Sequence, residues 1–153
     1  MTYDELQAKY EDELCIIETD LSNVNGLKGL YVDGCVAIEK NMTLKEKGCV
    51  LAEEVGHHLT SVGDILMQDN TNNRRQERKA RIVGYNIQIG LYGLINAYKA
   101  GCKNSYEVAE YLDVTEAFLQ DAIKYYKEKY GLLTKVDGYI IYFEPSLGVM
   151  KFL

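Results

Sequence analysis

Glu53, Glu54 and His57 lie in the stretch Leu-Ala-Glu-Glu-Val-Gly-His-His at 51–58 and have the types and spacing to hold a metal ion and activate water. Metal-dependent hydrolases carry His-Glu-x-x-His on a helix; here the order is Glu-Glu-x-x-His. Side chains four residues apart stand one above the other on a helix, so Glu53 and His57 hold the two ligand positions. Glu54 holds the position of the general base, beside a ligand and aimed at bound water. A carboxylate binds zinc at about the same distance as an imidazole, so the change at 53 alters the ligand set without deleting a ligand.

The helix that carries these residues has to cover them. At about 100° per residue, Leu44, Leu51, Val55, Leu59 and Val62 gather on one face, and Glu53 and His57 point nearly opposite, as on an ordinary solvated face. Cys49 and Val50 flank the Glu53 and His57 side, however, and 49–52 is apolar nearly all round. That pattern predicts a helix covered on two sides. A carboxylate and an imidazole in a covered cleft need a partner, because an unpaired buried charge is expensive, and a metal ion supplies one. His57 and His58 are the only histidines, so no Ser or Cys nucleophile finds a histidine base outside this motif. His58, close to the apolar face, reads as a hydrogen-bonded structural residue in preference to one that orients a ligand or stabilises an oxyanion.

Around this helix the sequence predicts further elements. Thr2 with Glu5 forms a capping box for a first helix to about Leu14, and Thr43 with Glu46 forms another for the site helix, which extends to about Val62 before Gly63. Cys15 to Thr19, Leu27 to Val32 and Cys35 to Glu39 read as strands, the last two joined at Asp33-Gly34, a hairpin signal. Gln68 to Asn73 reads as a loop, and Arg74 to about Lys99 as one long helix stopped by Gly101. Ser105 caps a helix through Leu112, and Thr115 another through Tyr130. Leu132 to Val136 and Tyr139 to Phe143 flank Asp137-Gly138 as a second hairpin.

A third ligand must come from another element, and the next helix offers Glu77, within Gln-Glu-Arg-Lys-Ala-Arg-Ile-Val-Gly at 76–84. Glu-Glu-x-Gly-His at 53–57 together with Glu-x-x-Ala-Arg-x-Val-Gly at 77–84 resembles the ImmA/IrrE family of metallo-endopeptidases. Gly-Leu-Tyr-Val at 29–32, Val-Ala-Ile at 36–38 and Tyr-Phe-Glu-Pro at 142–145 are similar to that family's flanking strands, so the resemblance covers nearly the whole chain. It implies metal ligands at Glu53, His57 and Glu77, the catalytic base at Glu54, and a substrate that is a helix-turn-helix repressor of a phage or mobile element. Two carboxylates and one imidazole bring two negative charges to the ion, which softens its Lewis acidity. Zinc is the expected ion, with manganese or iron also suited to the harder ligands.

Composition sets outer bounds. A chain of 153 residues, 47% hydrophobic and 26% charged, is long enough for one globular domain with a real core. A net charge of -6 argues against a dominant non-specific nucleic-acid role, since such affinity comes from neutralising phosphates. Residues 1–7 are polar and acidic, and 82–95 is interrupted by Asn86 and Gln88, so neither export nor membrane spanning is expected and the reading is cytoplasmic. Cys15, Cys35, Cys49 and Cys102 show no Cys-x-x-Cys pair and read as buried reduced thiols. Val108 to Tyr126 has helix-turn-helix spacing, but Glu116, Gln120, Asp121 and Lys124 make a poor phosphate-facing surface, and a structural helix pair is favoured. Arg74, Arg75 and Arg78, with Lys79 and Arg81, form a basic run, commonly a solvated face, that could also steer an acidic substrate segment.

The expectation is one α+β domain over 1–153, with a zincin-like helical core, a small antiparallel sheet, and a C-terminal helix pair plus hairpin. Its expected activity is metal-dependent cleavage of a repressor protein. The alternatives are a pseudoprotease that binds the repressor uncut, and a DNA-binding or adaptor domain using 105–130.

Overall fold

The computed structural model describes residues 1–61 and 70–152. The fold is mixed α+β, with six helices and six strands among those residues, and it divides into two compact units, Met1–Gly84 and Tyr85–Leu153.

In the first unit, α1 (Tyr3–Tyr10) starts at the Thr2–Glu5 capping box. It stops at Tyr10, short of the expected Leu14, because the Tyr10 carbonyl accepts from the amides of Glu13 and Leu14 and the chain turns. That turn buries Leu14 and frees Cys15 to begin a strand. β1 (Cys15–Thr19), β2 (Gly29–Val32) and β3 (Cys35–Glu39) form a sheet in the order β1-β3-β2. β2 and β3 are the expected antiparallel hairpin, and Asp33 and Gly34 both have positive φ (46° and 81°), the geometry their turn demands. β1 runs parallel to β3, with Cys15 opposite Cys35, a pairing that no local turn signal announces.

α2 (Leu44–Thr60) follows its own capping box, in which Thr43 Oγ1 accepts from the Glu46 amide at 3.2 Å. Leu6, Val36, Ile38, Leu51, Ala52, Val55 and Ala80 are fully buried and make the core of this unit. Leu44 and Leu59, expected on the covered face of α2, are exposed, since both lie near the helix ends, and Val62 and Gly63 lie outside the described residues. The two-sided cover holds where it matters: Cys49, Ala52, Glu54 and Gly56 are all buried.

α3 (Asn70–Gln88) begins four residues before the expected start at Arg74. Asn73 there is exposed, so the helix runs on without the apolar periodicity that marks helices in sequence. Gln68 and Asp69 lie outside the described residues. The expected single helix to Lys99 is two: α3 ends at Gln88 and α4 (Gly90–Lys99) begins after Ile89 at φ -121°, ψ -79° and Gly90 at φ +64°. A left-handed residue breaks the helical ladder, and only glycine adopts it at little cost. Within the second unit the break is held by Tyr126, whose hydroxyl accepts the Gly90 amide at 3.1 Å and donates to Asn86 Oδ1 at 3.0 Å.

α5 (Ser105–Leu112) is capped by Asn104, whose Oδ1 accepts from the Glu107 amide at 2.9 Å, and not by Ser105, which is the first helical residue. Asp113, in the left-handed region, ends it, and Thr115 caps α6 (Glu116–Tyr130). Val108, Ala109, Leu112, Val114, Leu119 and Ile123 are buried, while Glu116, Gln120, Asp121 and Lys124 face solvent. β4 (Leu133–Val136) and β5 (Tyr139–Tyr142) make the hairpin expected around Asp137-Gly138, and β6 (Gly148–Lys151) adds a third antiparallel strand. The four residues of β6 are too few and too mixed in polarity to stand out in sequence.

Candidate metal centre

The site in the first unit is made by two helices touching backbone to backbone. A Cβ on Gly56 would lie 2.2 Å from the Ala80 carbonyl oxygen, and one on Gly84 would lie 3.3 Å from the Ala52 carbonyl carbon. α2 and α3 therefore cross antiparallel, Ala52 against Gly84 and Gly56 against Ala80. The same register sets Glu53 beside Arg81, with Arg81 Nε 3.5 Å from Oε1, and His57 beside Glu77, with Nε2 3.3 Å from Oε1. Replacing Gly56 by Ala should push the helices apart and destabilise the fold by about 1–3 kcal/mol, the usual scale of overpacking. Urea denaturation measures it; an unchanged midpoint would show that the two backbones are not in close contact there.

One ligand atom from each of Glu53, His57 and Glu77 falls within 4.8 Å of the others. A tetrahedral ion with donors at about 2.1 Å holds them about 3.4 Å apart, so the His57–Glu77 pair is already at that spacing. The three residues open on a cavity of about 450 Å³, lined also by Gly29, Tyr31, Val50, Glu54 and Arg81. Glu54 is 8% exposed. Burial first, then the charges of Glu53 and Glu77, push its carboxyl up to about 8. Burial also raises Glu53, against the opposing pull of Arg81 and His57. Three carboxyl groups thus face one cavity that Lys28 and the exposed Arg81 also line, and a divalent ion among Glu53, His57 and Glu77 fits the donor chemistry of that triad.

The helix positions read from sequence converge in space: Glu53, His57 and Glu77 form the triad, and Glu54 is buried beside it. His58 turns away from the triad, its Nδ1 at 2.9 Å from the Tyr31 hydroxyl and its Nε2 at 3.2 Å from Glu13 Oε2, so it ties β2 to the end of the α1 turn. Arg74, Arg75 and Arg78 are exposed on α3, and of the basic run Arg81 lines the cavity. Sequence alone singles out neither Gly29 nor Tyr31 as a site residue, and it places Arg81 only within the basic run. The alternation of β2 was the available signal, because residues 29 and 31 share one face of a strand.

A buried glutamate beside a carboxylate–imidazole–carboxylate triad, carried on two crossed helices next to a small sheet, defines a metallopeptidase-type domain. The chain belongs to the peptidase M78 family: the family model described as the IrrE N-terminal-like domain matches residues 8–124. No curated protein matches the chain. Membership of a peptidase family implies a protein substrate, and together with the triad it indicates a metal cofactor. Among the described residues, no helix is long and apolar enough to cross a membrane.

Proposed function

We propose that this protein is a metal-dependent endopeptidase in which Glu53, His57 and Glu77 hold one divalent ion, Glu54 is the general base, and the substrate is a cytoplasmic helix-turn-helix repressor. The observation that carries the reading is the convergence of the triad with a buried, otherwise uncompensated Glu54 in one cavity. A bound ion would polarise the scissile carbonyl and lower the pKa of water. The positive charge of that ion would favour the ionised form of Glu54, which then accepts the proton from the attacking water and passes it to the leaving amine, with no covalent intermediate. β2 closes one wall of the cavity through Gly29 and Tyr31, and the exposed Arg74, Arg75 and Arg78 draw an acidic segment toward it. The repressor as substrate, and its origin on a phage or mobile element, rest on the ImmA/IrrE resemblance. Cleavage should fall in an exposed linker of that partner. Zinc is the first candidate ion, with manganese or iron suited to the two carboxylates.

Protein purified without chelator should contain one divalent ion per chain by metal quantification, and chelation should abolish cleavage of the repressor encoded beside it, followed by mass spectrometry. Cleavage that persists without metal would remove this reading. The Glu53–Arg81 ion pair favours a second one, a pseudoprotease that binds the repressor uncut, because Arg81 competes with a cation for Glu53. Complex formation without cleavage, in metal-loaded protein, identifies that case.

Gly29 offers a finer test. A Cβ there would lie 2.5 Å from Val50 Cγ1 and 2.8 Å from Glu54 Oε1, so Gly29→Ala displaces the base and leaves the triad alone. Misplacing a catalytic group by about 1 Å costs on the order of 10²-fold. Steady-state cleavage rates should fall by that order at unchanged metal content; an unaffected rate would mean that Glu54 does not need this wall.

A further inference from the structure

Against the expectation of four buried thiols, Cys49 alone is buried; Cys15 and Cys35 are exposed and Cys102 is half-exposed. Cys15 opens β1, Cys35 opens β3, and the two are direct partners in the parallel pairing. Partners in register on neighbouring strands point to the same face of the sheet. Neighbouring strands lie about 4.8 Å apart, inside the window of about 4.4–6.8 Å between Cα atoms that a disulfide spans. The Cys15 amide donates to the Gly34 carbonyl at 2.9 Å, which holds the two strand starts together.

We infer that Cys15 and Cys35 are a reversible redox pair that a hydroperoxide converts to an intrachain disulfide. The Cys35 thiol is hydrogen-bonded to Cys15, and that bond, ahead of the Cys15 charge, pushes the Cys35 pKa up. Because the two are in register, either sulfur can reach a sulfenic acid formed on the other, and attack by Cys15 first is one of two equivalent routes. The Cys15 thiolate attacks the terminal peroxide oxygen and breaks the O–O bond, giving Cys15 sulfenic acid and releasing an alcohol, or water from hydrogen peroxide itself. The Cys35 sulfur then attacks the Cys15 sulfur, breaking its S–O bond; the hydroxide leaves with the Cys35 proton as water. Two thiols are oxidised by two electrons and one peroxide is reduced.

Adjacent strands hold Cβ atoms slightly wider than the roughly 3.5–4.5 Å that disulfides prefer, so this bond is strained and easily reduced by a dithiol. The bond closes 15–35 into a ring that contains β2, and β2 supplies Gly29 and Tyr31 to the cavity wall. Oxidation thus tethers both ends of the segment that forms that wall. The inference is carried by the strand register and the exposure of the two thiols, and stands whether or not the triad hydrolyses peptides.

The test is a hydrogen peroxide titration of the reduced full-length protein, with thiols trapped by iodoacetamide and peptides mapped without reduction. The expected result is a linked Cys15–Cys35 peptide in the monomer fraction, two alkylation sites lost together, and full reversal by dithiothreitol. Cys35→Ser should remove the link and leave Cys15 as sulfenic or sulfinic acid; exposure of the side chain makes that variant safe for folding. Sulfinic or sulfonic acid at either cysteine of the parent without a link, or an intermolecular Cys15 dimer as the main product, would overturn the inference. So would two thiols that remain alkylatable after excess peroxide.

Discussion

Glu54→Gln is expected to lose turnover by about 10² to 10⁴-fold, the usual contribution of a positioned general base, while metal content stays at one ion per chain. The side chain is 8% exposed and shares the cavity with the triad without belonging to it. Glutamine has nearly the same shape, so the close approach to Gly29 is preserved. The amide cannot take a proton from water at neutral pH, so the loss should fall in kcat with little change in KM. A second readout separates chemistry from structure. In metal-free protein burial pushes the Glu54 carboxyl up to about 8, so folding at neutral pH must protonate a group that is ionised in the unfolded chain, a cost the neutral amide does not carry. The metal-free variant should therefore melt no lower than the parent by scanning calorimetry. If Glu54→Gln cleaved the repressor at the parental rate, the base would have to be another group; if both proteins bound the repressor and neither cleaved it, the pseudoprotease reading would lead.

The parts of the site legible in sequence were those governed by short-range periodicity. Glu53 and His57 are one helical turn apart and had to share a face, and the two capping boxes fixed where α1 and α2 begin. Both hairpins announced themselves through Asp-Gly pairs whose positive φ the structure bears out. The placement of Glu77 drew on family resemblance, because no rule of spacing says which of α3's faces meets α2. The physical reason emerges in the crossing itself. Gly56 and Gly84 remove the side chains that would hold the helices apart, and Ala80 and Ala52 lie opposite them. Glycines in a helix are read from sequence as weak points, and only their pairing in space with Ala80 and Ala52 turns them into a contact that sets a metal-ligand register.

The misses have the same origin. Ile89-Gly90 lies inside an otherwise continuous helical pattern, and a single glycine there does not by itself predict a break. What fixes the left-handed Gly90 is the Tyr126 hydroxyl, 36 residues away in sequence. The parallel partnership of β1 and β3 likewise has no turn to advertise it, and it is that pairing which sets Cys15 against Cys35. Arg81 read as one member of a basic run, whereas its register on α3 sets it at Glu53.

His57→Ala should remove metal binding altogether. His57 gives the triad its one nitrogen donor, and without it Glu53 and Glu77 sit on separate helices with Arg81 already drawn to Glu53. Two carboxylates alone do not complete the three protein ligands a catalytic zinc site requires. The imidazole is partly open to solvent and lies on the cavity side of α2, not against the Leu51–Val55 core, so truncation leaves no closed void and the fold should persist. Metal quantification after dialysis against zinc would read near zero per chain, against one for the parent, with circular dichroism unchanged. Glu53→Ala provides the complementary case, because it removes the ligand and frees Arg81 in the cavity, adding electrostatic repulsion to the missing donor. Stoichiometric zinc in His57→Ala would place the ion elsewhere, and would take with it the assignment of Glu54 as the base beside it.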